Sequence, residues 1–197
     1  MAGMSDEQPM DGMRGPDGPE PLARNAIGTI LAVLGVLVLA GAIGALLLAR
    51  WAEQKRYQKV VDCMRAYAEA QVIYHRADWD GNETWKYAYP FTLLATQKDA
   101  AGAPIRLIED DFAAAAGENG RPLCGYLFKD VKTVGGCPID SRDAFAFCAT
   151  PARYGRRCRY TFIIGTNGTT FRKDLGRSRF LEDYPAYETR AGWEIVE

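Results

Sequence analysis

A chain of 197 residues with a formal net charge of −1 and a sequence pI near 6.0 has no overall basic field, so composition points away from nucleic acid as a partner. Hydrophobicity is distributed unevenly, which favours one small domain with appendages over a single uniform domain. About 120 residues are left to fold on their own.

The first segment, residues 1–25, is rich in Met, Gly, Pro, Asp and Glu and cannot bury enough apolar surface to offset its ordering entropy, so a disordered tail is expected. Residues 26–49, Ala26 to Ala49, hold no charged side chain. A helix rising about 1.5 Å per residue needs about 20 apolar residues to cross a bilayer core, and this run is longer. It also exceeds the apolar region of a cleaved signal and leads straight into Arg50 and Trp51. The lipid bilayer, met through residues 26–49, is therefore the first expected partner.

Helical spacing continues beyond the span through Trp51, Tyr57, Val61, Met64, Ala68 and Val72, with Glu53, Lys55, Lys59, Asp62 and Glu69 on other faces. One helix from about Ile27 to about Arg76 is predicted, its second half packing on a folded domain. Asp78, Trp79, Asp80, Gly81 and Asn82 end it with turn formers. The stretch from Tyr87 to Leu94 is aromatic and irregular. Pro104 at a helix start then predicts a short amphipathic helix, Ile105 to Ala116.

From Gly125 the pattern changes to short β-prone runs: Tyr126 to Val131, Ala144 to Ala149, Tyr160 to Ile164 and Thr169 to Arg172. Asn167-Gly168 reads as a two-residue hairpin turn between the last two. Short connections of this kind predict an antiparallel meander of about four strands. The predicted class is thus α+β, a long transmembrane and spine helix packed on a small antiparallel sheet. The folded part covers residues 50–176, and residues 177–197 form a C-terminal extension that carries Tyr184, Tyr187, Trp193 and Ile195 among many charges and either wraps the domain or dangles.

This order of elements resembles the type IV pilin and pseudopilin architecture. The segment FAFCATPARYG from Phe145, followed by YTFIIGTNGTTFRKDLG from Tyr160, is similar to the C-terminal signature of pilin-like bacterial proteins of unknown function. There an A-x-P-x-x-Y-G turn precedes a T-F hairpin with an N/D-G tip and a D-L-G ending, and Met64 to Tyr74 is similar to the group's spine helix. The resemblance implies a pilin-like fold. True prepilins carry an acid five residues into the mature helix. Here neither Gly28 nor Gly35 is followed by one within the span, so a permanent anchor is expected instead of peptidase processing.

Five cysteines are many for a domain of this size. The spacing of Cys124, Cys137, Cys148 and Cys158 is unlike paired zinc-binding cysteines, so these four are the candidate disulfide residues. Cys148 with Cys158 would bridge a turn, and Cys124 with Cys137 would staple a strand. Cys63 would be left over or pair between chains. Lys and Arg near the span, Arg14 and Arg24 before it against Arg50, Lys55, Arg56 and Lys59 after it, would put the domain in the cytoplasm. Cysteine content and the resemblance place it outside, and the second placement is the expectation.

Catalytic motifs are not found. The single histidine, His75, reads as structural, and the sequence offers no serine elbow, zinc-protease motif or phosphate loop. Asp78 to Glu83 reads as a helix stop and not a Ca²⁺ loop, Glu109, Asp110 and Asp111 as a solvated face, and Arg153, Arg156, Arg157 and Arg159 as a solvated turn. No metal, cofactor or enzymatic activity is expected. Two functions remain: protein contacts in envelope assembly or secretion, with protein partners or a homo-oligomer, or a membrane-tethered ligand-binding or sensory domain. In the second, Trp79, Trp85, Tyr87 and Tyr89 are the recognition aromatics.

Overall fold

The computed structural model describes residues 21–79, 83–99, 101–155, 158–177 and 179–196. The protein is of the α+β class, a long helix packed on an antiparallel sheet. Helix α1 spans Pro21–His75. Pro21 is its first residue, a position where the missing N–H has no helical partner to lose. Residues 21–25 are thus helical where a tail is expected, and residues 1–20 of that tail lie outside the described residues.

Contacts divide the chain into two compact units, Met1–Ala49 and Arg50–Glu197. Within the first, the side chains of α1 from Ile30 to Leu48 are almost all exposed, Val38 to 72%. A helix this apolar on every face is long enough to cross a membrane, and it does not bury itself in the protein.

In the second unit α1 buries Val60, Val61, Met64, Tyr67, Gln71 and Tyr74, recurring at three- and four-residue steps. The stripe is rotated from the one expected: Val72 is exposed and Gln71 fully buried. Two short helices follow, α2 (Leu93–Thr96) and α3 (Asp110–Ala113). The helix expected over Ile105 to Ala116 is only this one turn. The Ile105 and Leu107 N–H groups donate to the Gln97 and Leu94 carbonyls, so the segment is held extended along α2 before it can coil.

The strands are β1 (Tyr126–Asp130), β2 (Thr133–Val134), β3 (Cys137–Pro138), β4 (Ala146–Pro151), β5 (Tyr160–Gly165), β6 (Thr170–Asp174), β7 (Asp183–Tyr184) and β8 (Glu194–Ile195). The main sheet has the order β1-β4-β5-β6-β8, five strands where about four are expected, and a small sheet has the order β3-β2-β7. Between β5 and β6 the last pair is Ile164 with Thr170, so Asn167-Gly168 sits in a wider loop. Gly168 closes it with φ +73° and an N–H donated to the Gly165 carbonyl.

Both faces of the main sheet are covered, which is why β4 is buried at every position. Phe128, Phe147, Ala149, Phe162 and Ile164 face α1, while Ala146, Cys148, Ile163 and Phe171 face a second cluster completed by Phe180, Tyr184 and Trp193. Residues 179–196 therefore supply β7, β8 and the cover of the second face. The sequence alone gave no means of placing them.

The five cysteines are free thiols. The members of each expected pair fall in different surroundings: Cys148 lies in the second cluster while Cys158 lies in the α1 cluster, and Cys137 is exposed on β3 while Cys124 packs against the α1 cluster. Cys158 lies instead against the turn that carries Cys124. Its Sγ is 2.9 Å from where a Cβ on Gly125 would stand.

Candidate ligand-binding cleft

The site is built outward from Tyr67. Its ring stacks on Phe147 with centroids 3.8 Å apart and an interplanar angle of 7°, and Phe91 and Phe145 meet it edge-on. Held this way, the hydroxyl can turn only toward its polar neighbours. One turn along the helix, the Gln71 Nε2 donates to the Tyr67 hydroxyl at 2.8 Å and to the Ala88 carbonyl at 2.9 Å. The Ala88 N–H donates back to Gln71 Oε1 at 2.7 Å. A buried amide thus satisfies both backbone groups of Ala88 and ties the aromatic segment Tyr87 to Phe91 to α1.

Asp130, the last residue of β1, completes the network. Tyr67 donates to its Oδ1 at 3.3 Å, and the Phe91 N–H donates to its Oδ2 at 2.8 Å. It forms no ion pair among the described residues. Burial pushes its carboxyl up to about 6, against the pull of the Phe91 and Tyr67 hydrogen bonds and the nearby charge of Lys132.

A cavity of about 270 Å³ opens in front of this carboxyl. Tyr67, Tyr87, Tyr89, Phe145, Ile139 and Ser141 line it together with Lys132. The Lys132 ammonium lies 5.8 Å from the centroid of the Tyr89 ring. A second hollow of about 230 Å³, lined by Thr92, Gly117 and Lys129, shares Tyr89, Asp130 and Lys132 with the first.

Of the expected recognition aromatics, Tyr87 and Tyr89 line this cavity. Trp79 instead donates its indole N–H to the Tyr74 carbonyl at 3.0 Å and packs at the end of α1, and Trp85 is exposed elsewhere. His75 has a structural place: Nε2 donates to the Arg142 carbonyl at 3.0 Å and the ring stacks on Tyr87 at 4.3 Å. Burial raises the Cys63 thiol to about 11 and the Cys148 thiol to about 12, so neither is a thiolate at neutral pH. No cluster suited to a metal occurs among the described residues. Asp111 is exposed and paired with Arg121, and the Arg159 guanidinium is 3.2 Å from Asp174. Asp80, Gly81, Asn82, Arg156 and Arg157 lie outside the described residues.

Sequence reasoning missed Asp130, Tyr67, Gln71 and Lys132. A signal for Asp130 existed: in β1 it shares the parity of Tyr126 and Phe128, the buried face, where a carboxylate is unusual.

A domain with one membrane-length helix and an aromatic-lined cleft is the class defined by this geometry. Residues 54–196 match the family described as protein of unknown function (DUF2950), and the chain belongs to that family. Neither a curated protein nor a solved structure matches it.

Proposed function

We propose that the protein is a single-pass membrane-anchored recognition domain that binds its ligand in the cleft at Asp130. The observation that carries this reading is a largely buried carboxyl, with no ion-pair partner among the described residues, that lines a cavity rich in aromatic side chains. Sites of this kind combine apolar walls with a few convergent polar groups. The apolar span of α1 supplies the anchor. The folded unit is assigned to the extracytoplasmic side on its cysteine content and its pilin-like signature.

A pilin-like role in envelope assembly or secretion is the second reading. Continuation of α1 into a helix packed on an antiparallel sheet favours it, and it requires no occupied cleft.

The two are separated with full-length protein in nanodiscs, screened against a small-molecule fragment library by ligand-observed NMR. Ser141→Trp, which adds an indole to the cavity lining, should abolish binding, whereas Tyr187→Ala on the open surface should leave it unchanged. Fragment binding indifferent to Ser141→Trp, or absent altogether, would overturn the binding reading.

A further inference from the structure

The cavity has one acidic group and one basic group, and the two do not pair. Asp130 accepts hydrogen bonds from the Phe91 amide, the Tyr67 hydroxyl and its own backbone N–H, while an ionised carboxylate offers about four acceptor positions. No cation pairs with it among the described residues, and the carboxyl borders the cavity. Burial without a cation is the costlier arrangement for a carboxylate, so a cation arriving from solvent gains more here than at an exposed acid.

The walls match such a guest. Tyr87, whose ring is stacked by His75, and Tyr89 line the same cavity as the acid, and aromatic rings attract ammonium groups over their faces. Tyr89 already holds one: the Lys132 ammonium sits over it. The remaining lining is mostly aliphatic and aromatic, suited to a short methylene stem.

Resting on the binding reading above, we infer that the cleft takes a primary ammonium on a short apolar stem, with Asp130 receiving the charge and Tyr87 and Tyr89 flanking it. The source is either a lysine side chain of a protein partner or a free alkylamine. Lys132 opposes the guest as a like charge and sets how tightly it is held.

The test uses full-length protein in nanodiscs titrated with n-butylamine, N-acetyl-lysine methylamide, n-butanol and butyrate, with binding followed by ligand-observed NMR. Both ammonium probes should bind in preference to the alcohol and the acid. Asp130→Asn, which keeps the shape of the side chain, should weaken ammonium binding by about tenfold or more, as expected for loss of a charged hydrogen bond. Lys132→Met should strengthen it. Tighter binding of the lysine derivative than of butylamine identifies a protein lysine as the source; the reverse identifies a free amine. Butanol or butyrate binding as well as the amines, with Asp130→Asn without effect, would overturn the ammonium assignment while leaving the cleft as a binding site. Failure of all four probes would overturn both.

Discussion

Replacing Asp130 by Asn should make the protein more stable at neutral pH and flatten its stability against pH. The folded state holds this carboxyl up to about 6, against its ordinary 3.8, chiefly because burial disfavours the charge. Between those two values the folded protein binds the proton that the unfolded chain has lost, so stability falls as pH rises through the window and the full penalty stands above about 6. Roughly two pH units correspond to about 3 kcal/mol. Asn removes the ionisation and keeps an oxygen for the Phe91 N–H, so the variant should gain up to this amount at pH 7 and nothing at pH 4. Urea unfolding of the full chain in nanodiscs, followed by tryptophan fluorescence across this range, measures both curves. Asp174, Glu182 and Asp183 have lowered values, so their contributions are lost as pH falls, but they are shared by both proteins and cancel in the difference. Parallel curves for wild type and variant would refute the assignment of a raised carboxyl to Asp130.

Phe147→Ala removes the ring against which Tyr67 stacks and which also meets Phe91 and Phe128, and should cost about 3–5 kcal/mol in the same unfolding assay. Gly125→Ala places a Cβ at φ +86° and 2.9 Å from Cys158 Sγ, and should cost about 1–3 kcal/mol. Part of that loss should return in the Gly125→Ala/Cys158→Ala double variant, and strict additivity would show that the sulfur is not the obstacle. Thiol counting on denatured, unreduced protein reports the side of the membrane. In an oxidising compartment the pair that meets at the Cys124 turn should close and leave three labels, since Cys137 and Cys148 lie apart from the others. Five labels would place the domain in the cytoplasm.

The long apolar helix, the spine and the four longer strands were legible because each is a local signal: a charge-free run, a period of three to four, or β-branched and aromatic clusters between turn residues. The cleft was not, because its partners are remote in sequence. Tyr67 meets Asp130 across 63 positions, and the Phe91 N–H meets it across 39. Nothing local to Gln71 says that its amide will serve the backbone of Ala88. The expected helix from Ile105 failed for a related reason, since hydrogen bonds to the chain around α2 outweighed an amphipathic pattern. The C-terminal residues were unreadable because Phe180, Tyr184 and Trp193 contact the sheet one by one from irregular backbone, which leaves no period to detect.

The covering of the main sheet extends to its margins. Along β1, the Phe128 N–H donates to the Ala115 carbonyl and the Gly117 N–H to the Phe128 carbonyl; along β6, β8 pairs with Phe171 and Arg172, and the Val196 N–H bonds Thr170. Each outermost long strand is thereby partly occupied by its own chain, and an extended segment from another molecule would have to displace these contacts to pair with β1 or β6. A chain cut after Gly176 would lose β8 and expose β6 to such pairing.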